Sequence, residues 1–110
     1  MDWTQAEVFI RRCIVCGVDL KTAWSSQRIV KSVGASVIRV QIGAAKCVAI
    51  PVSMLQVINA HLDGGGVFDR TYFSQKYPVE AKNRGCMIHV IGQIFVKAGL
   101  ARQNRRSYVI

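Results

Sequence analysis

The feature that most restricts the fold of this sequence is an apolar segment near its C-terminus, "GCMIHVIGQIFVKA". Its spacing predicts a helix over residues 85–98, with Gly99 just past the end. Val90 and Val96 lie near what would be its outer face, and a helix that is apolar all round is usually buried. We therefore expect it to pack against the N-terminal helix, a β-hairpin or a second subunit. Gly92, in mid-helix, favours the close approach of another helix because it has no side chain.

Length and composition indicate one globular domain. The chain has 110 residues, of which 51% are apolar, and this argues against disorder. No apolar run reaches the roughly 20 residues that cross a bilayer. The N-terminus "MDWTQAEVFIRR" has acidic residues where a secretory signal begins with basic ones. We expect a cytoplasmic protein with no membrane partner, whose four cysteines stay reduced.

The first half predicts a helix followed by an antiparallel sheet. Apolar residues at helical spacing indicate a helix over Asp2–Cys16, and Thr4–Glu7 match the S/T-x-x-E capping box. The segment from Asp19 to Gly34 fits helix or strand, and we favour a strand near Gln27–Val33. Two β-branched runs, Val37–Ile42 and Lys46–Ile50, predict a hairpin.

Two helices open the second half. The first has Ser53 as its predicted N-cap, with a hydrophobic staple between Val52 and Val57. The second is shorter, with Asp69 as the predicted N-cap. It should end at Tyr77, because a residue that precedes proline avoids helical geometry.

The remaining segments predict a connection and a terminal hairpin. "PVEAKNRG" is polar and indicates a loop before the helix over residues 85–98. Beyond that helix, residues 100–102 and 107–110 can pair as strands around the tip "QNRR". The whole chain, residues 1–110, is expected to form a single α+β domain.

Two stretches of the second half carry a resemblance to a known family. "LDGGGVFDRTYF" is similar to a link between two helices, and "IFVKAGLARQNRRSYVI" to a third helix that runs into a β-wing. In this order and spacing, Ser53–Ile110 resembles the winged helix-turn-helix family. The turn before the third helix is longer than the pattern, and the wing is short and C-terminal. The resemblance implies a winged-helix-like three-helix unit in residues 53–110, beside an N-terminal helix and small antiparallel sheet in residues 1–52.

The charge distribution independently suggests a polyanionic partner. The net charge is +9, and residues 64–110 carry eight of the fifteen basic residues but only two of the six acidic ones. A basic half attracts DNA, RNA or anionic lipid, although positive charge can also simply keep a protein in solution. With the resemblance, it indicates a non-catalytic protein that binds double-stranded DNA.

The resemblance also assigns candidate contacts. It places the third helix in the major groove and the basic hairpin, residues 102–106, on phosphates. At about 100° per residue, His89, Gln93 and Lys97 share one side of that helix. Gln93 could read an adenine edge, and Lys97 could reach a phosphate. The candidate nucleic-acid-binding residues are Arg84, His89, Gln93, Lys97, Arg102, Arg105, Arg106, Arg70 and Lys76. The alternative is an ordinary solvated helix face and a charged turn.

The sequence gives little indication of catalysis. Cys13 and Cys16 have metal-ligand spacing but lack a second close pair, so we expect no metal site. Cys86 and His89 lie three residues apart on one helix with no orienting acid nearby in the sequence. "DGGG" follows a helix, whereas a phosphate-binding glycine loop follows a strand. We therefore expect no cofactor and no enzymatic activity.

A different class of function remains open. The apolar helix could instead mediate self-association, which would make the chain a homo-oligomeric interaction or accessory protein from a mobile element or phage. That alternative predicts a homodimer with Val90 and Val96 in the interface. An enzyme would be a third class, and it would need a deep pocket that holds Cys86, His89 and a partner acid.

Overall fold

The architecture is α+β. A computed structural model describes residues 1–110 and contains five helices and five strands. The helices are α1 (Trp3–Cys13), α2 (Val52–Asp63), α3 (Arg70–Lys76), α4 (Pro78–Asn83) and α5 (Met87–Lys97). The strands are β1 (Arg28–Val33), β2 (Val37–Ile42), β3 (Lys46–Pro51), β4 (Arg102–Asn104) and β5 (Ser107–Val109). None of the helices combines the length and apolar character that crossing a membrane requires.

Strands β1, β2 and β3 form an antiparallel sheet in that order. Alternating apolar residues make one face buried, with Val40 opposite Val30 on one side and Val48 on the other. The register shifts between Val30 and Ser32, where β1 has an irregularity. The predicted hairpin of β2 and β3 is confirmed, as is the strand near Gln27–Val33.

The boundaries of α1 and α2 differ from the prediction. Asp2 caps α1 by accepting a hydrogen bond from the Gln5 N–H at 3.0 Å, so Thr4 lies inside the first turn. The helix ends at Cys13, three residues before the predicted end. In α2 the N-cap position is Pro51, and no side chain caps the helix, so the predicted capping role of Ser53 is wrong.

The short helix α3 has the predicted cap. Asp69 Oδ1 accepts a hydrogen bond from the Tyr72 N–H at 2.9 Å, and Tyr77 follows the last helical residue. The predicted loop over residues 78–85 is wrong, because α4 begins at Pro78. Proline suits the first position of a helix, where its missing N–H would have no partner. The second half therefore has four helices where the sequence predicts three.

Helix α5 is the centre of the core. Eight of its residues are buried, and it contacts α1, α4, β3 and β4. The structure shows that this apolar segment is buried and that it packs against α1 and β3, two of the partners that its sequence allowed. Both halves of the chain contribute to one core of 22 buried residues, from Ile10 to Tyr108.

Candidate functional site

Tyr108 is the one fully buried residue of the β4–β5 hairpin, and it attaches the hairpin to the core. Tyr108 is fully buried, and its hydroxyl lies within hydrogen-bond distance of His89 Nδ1, at 2.9 Å. Its backbone N–H and C=O pair with the C=O and N–H of Phe68, both at 2.9 Å. The hairpin is therefore held both to α5 and to the segment that leads into α3.

Gly92 allows this attachment. A Cβ atom at Gly92 would lie 2.2 Å from Cε2 of Tyr108, far closer than atoms can approach. The phenol ring therefore lies directly on the backbone of α5. The close approach at Gly92 is made by an aromatic ring of the hairpin and not, as the sequence suggested, by another helix.

The turn of this hairpin places an arginine in a strained conformation. Asn104 pairs with Ser107, so Arg105 and Arg106 form a two-residue turn. Arg105 has φ +59°, the only positive φ at a non-glycine residue. The first position of such turns favours glycine, because an L side chain there costs about 1–2 kcal/mol. Strain of this kind is concentrated at functional sites.

Arginines from two separate segments line one open cleft beside this turn. The cleft has a volume of about 570 Å³ and no hydrophobic lining. We call it the arginine cleft; its lining residues are Asp69, Arg70, Thr71, Asn104, Arg105, Arg106 and Ser107. Its one carboxylate, Asp69, caps α3 through the Tyr72 N–H. Three arginines and a single acid therefore line the arginine cleft, and this excess of positive charge favours anions.

Trp24 lies next to the arginine cleft, and sequence reasoning missed it. Its exposed fraction is 52%, although it is a large aromatic residue. The Cζ atom of Arg106 lies 5.7 Å from the centre of the indole ring. The His89 ring meets Trp24 edge to face, with centroids 5.6 Å apart. The signal in the sequence was a tryptophan within the otherwise small and polar stretch "TAWSSQ".

Arg28 is a second residue that the sequence did not indicate. It is only 8% exposed, and its Nε and Nη1 atoms are enclosed without a hydrogen-bond partner. Asp19 accepts from the backbone N–H of Arg28 at 3.1 Å, so that carboxylate does not pair with the guanidinium. A buried charge without a partner is costly, because the protein does not replace its hydration.

His89 lies among these cations. Burial lowers the pKa of His89, and the positive charges of Arg28, Arg106 and Arg70 lower that pKa further. Three arginines from distant parts of the chain therefore act on one imidazole. The region beneath Trp24 is consequently an area of positive potential.

The structure brings only part of the predicted set together. Arg70, Arg105 and Arg106 share the arginine cleft, whereas four other candidates are exposed but do not line it: Lys76, Arg84, Lys97 and Arg102. The predicted exposure of Gln93 is wrong. It is 6% exposed, and its Nε2 donates to Oε1 of Gln103 at 2.9 Å.

Helix α5 therefore presents no open polar face that could enter a DNA groove. Gln93 is buried and His89 is half-buried beneath Trp24, which leaves Lys97 as the one exposed residue of the helix. Val90 is also fully buried within the monomer, so its predicted place in a dimer interface is wrong. Self-association through other residues stays a prediction.

The four cysteines are free, and Cys86 is half-buried. No three His, Cys, Asp or Glu side chains come together in a way that could hold a metal ion.

Protein-family models, curated proteins and solved structures were each compared with the chain, and none matches.

Proposed function

We propose that this protein binds DNA without catalysing a reaction, and that the arginine cleft is its phosphate-binding surface. The observation that carries the proposal is that Arg70, Arg105 and Arg106 line one open cleft that contains no hydrophobic residue. Guanidinium groups match the geometry of phosphate oxygens and stay charged at every physiological pH. A net charge of +9 would also draw a polyanion toward this surface from a distance.

The strain at Arg105 supports the same function. A turn that only had to reverse the chain would be more stable with glycine at φ +59°. An arginine at this position places a cation at the tip of the hairpin, where a phosphate can reach it.

The burial of α5 supports a mode of binding that uses phosphate contacts alone. Contacts to phosphate supply most of the affinity for duplex DNA but read little of its sequence. With no helix face available for base edges, we expect the protein to bind duplexes of different sequence with similar affinity.

Titration at two salt concentrations tests the proposal. A fluorescently labelled 20-base-pair duplex is titrated with protein in 50 mM and 200 mM salt, and binding is measured by fluorescence anisotropy. Three phosphate contacts give a slope of about −2.7 in log affinity against log salt, so affinity should fall about 40-fold. Binding that is absent at 50 mM salt, or that salt leaves unchanged, would refute the proposal.

Charge reversal locates the surface. Arg106→Glu should weaken duplex binding and reduce the magnitude of the salt slope by about 1 or more. Arg39→Glu is the matched control, because Arg39 is also exposed, on β2, but does not line the arginine cleft. Equal losses in the two variants would indicate attraction by net charge alone and would contradict a phosphate site at the cleft.

A further inference from the structure

An exposed tryptophan held in a fixed position needs a physical explanation. Trp24 follows Thr22 in a short turn in which the Thr22 N–H donates to Oγ of Ser25 at 2.8 Å, and the Ser25 N–H donates to the Thr22 carbonyl at 3.3 Å. The turn therefore limits the motion of the backbone that carries the indole. The ring nevertheless remains about half exposed to solvent, at 52%.

Two neighbours of Trp24 orient its ring and leave about half of the residue exposed, at 52%. Arg106 lies over the ring at 5.7 Å, and His89 meets it at an interplanar angle of 89°. His89 is itself held by the Tyr108 hydroxyl at 2.9 Å. An aromatic ring that is already oriented loses little conformational freedom when a flat ligand stacks on its open side.

Arg106 links this ring to the arginine cleft. The same side chain lines the cleft and lies over Trp24, so an aromatic surface and a phosphate-binding surface are adjacent. Proteins that bind single-stranded nucleic acids combine these two surfaces: the bases stack on aromatic side chains, and the backbone follows a positively charged groove. In an intact duplex the bases are stacked on one another and are not available to Trp24.

We propose that Trp24 is a stacking platform for an unpaired DNA base, and that Arg106 and the arginine cleft bind the phosphates on either side of that base. This inference rests on the proposed function and adds a substrate class, single-stranded or locally unpaired DNA. Duplexes bind through phosphate contacts alone and therefore bind more weakly.

The buried charge of Arg28 supports this placement. Its guanidinium has no carboxylate partner, and its charge acts on His89 and Tyr108, the two residues that support the Trp24 region. A phosphate bound beside Trp24 would offset part of this unbalanced positive charge. The potential at the platform therefore favours an anionic ligand over a neutral aromatic one.

Tryptophan fluorescence reports stacking directly. The protein has two tryptophans, and Trp3→Phe leaves Trp24 as the sole indole. This variant is titrated with a 12-nucleotide oligothymidylate and with a 12-base-pair duplex at low salt. We expect the single strand to quench Trp24 fluorescence and the duplex to quench it much less.

Affinities of substituted proteins give the second measurement. Stacking of one base corresponds to about 5- to 150-fold in affinity, so Trp24→Ala should weaken single-strand binding by a factor in that range. Trp24→Phe should retain most of the affinity, and duplex binding should change less than about twofold. Phe9→Ala is the matched control, because Phe9 is 38% exposed and has Arg12 over its ring at 5.8 Å, yet it lies on α1.

The outcomes separate the two proposals. If Trp24→Ala binds oligothymidylate as tightly as the parent protein while salt-sensitive binding persists, the stacking proposal is overturned and the phosphate-binding proposal stands. If neither ligand binds in a salt-sensitive manner, both fail. Loss of affinity in Trp24→Ala equal to that in Phe9→Ala would also overturn stacking. Circular dichroism of each variant establishes that it is folded.

Discussion

Replacing Gly92 with alanine tests how the β4–β5 hairpin is attached to the core. Helix propensity alone favours the change, because alanine is more favourable than glycine by about 1 kcal/mol in a helix interior. The structure reverses this expectation. A Cβ at residue 92 would lie 2.2 Å from Cε2 and 2.3 Å from Cζ of Tyr108.

Tyr108 cannot easily move away from that methyl group. It is fully buried, and its backbone is paired in both directions with Phe68. Overpacking a core costs about 1–3 kcal/mol. Loss of the hydrogen bond between Tyr108 and His89 adds about 0.5–1.5 kcal/mol. After subtraction of the gain in helix propensity, Gly92→Ala should lower the free energy of unfolding by about 0.5–3.5 kcal/mol.

Urea denaturation of paired variants measures this effect. Gly64→Ala is the control, since Gly64 has φ −78° and a Cβ there would meet the carbonyl of Ala60 at an ordinary 3.5 Å. It should raise the free energy of unfolding by about 0.4–1 kcal/mol. In a Tyr108→Ala background the ring is gone, so Gly92→Ala should become stabilising by about 1 kcal/mol.

The sign of the effect decides the outcome. If Gly92→Ala stabilises the parent protein as much as it stabilises the Tyr108→Ala variant, the phenol ring does not lie on α5. The attachment of the hairpin by Tyr108 would then be wrong.

Three further substitutions should change the free energy of unfolding: two should raise it, and the third should make it less dependent on pH. Arg105→Gly should raise the free energy of unfolding by about 0.5–1 kcal/mol in urea titrations, since relief of positive φ exceeds the entropy cost of glycine, while it weakens DNA binding. A loss of stability would contradict strain at this turn. Arg28→Met should raise the free energy of unfolding by about 1–3 kcal/mol by removing enclosed N–H groups, and unchanged stability would show that they are solvated. Because the folded pKa of His89 is lowered, the unfolded chain takes up its proton first as pH falls below about 6.5. The free energy of unfolding should therefore decrease from pH 7 toward pH 5, and His89→Gln should show a smaller decrease.

The parts of the fold that the sequence predicted depend on local patterns. The hairpin of Val37–Ile42 with Lys46–Pro51 follows from β-branched runs separated by a short turn. The cap at Asp69 follows from a short side chain that can reach the N–H groups of the first turn. Neither feature depends on distant residues, so the local sequence was sufficient to predict both.

Helix α4 was missed because one proline has two roles. Pro78 ends α3, as predicted, since Tyr77 before it cannot remain helical. The same proline begins α4, with Tyr77 also at its N-cap position. A polar sequence after a proline does not distinguish a loop from a short helix, because α4 buries none of its residues.

The candidate site was predicted only in part, because some of its contacts join separate segments of the chain. Charge together with the resemblance identified Arg70, Arg105 and Arg106. Neither could show that Trp24 lies beside Arg106, because that contact joins residues from opposite ends of the chain. Helical periodicity placed Gln93 on a polar side of α5 but could not show that Gln103 covers this side. Contacts between distant segments therefore account for both errors.

Two energetically unfavourable features, at Arg105 and Arg28, occur within one region of the fold. Arg105 adopts a conformation that glycine would occupy at lower cost, and Arg28 keeps an unpaired charge in the interior. The electrostatic influence of Arg28 reaches His89, which contacts Trp24, and Trp24 contacts Arg106 next to Arg105 in the turn. Proteins tolerate such local conflicts mainly where function requires them. Under the proposed function, a bound phosphate chain would lie beside Arg105 and an exposed aromatic ring, so one ligand class would account for both.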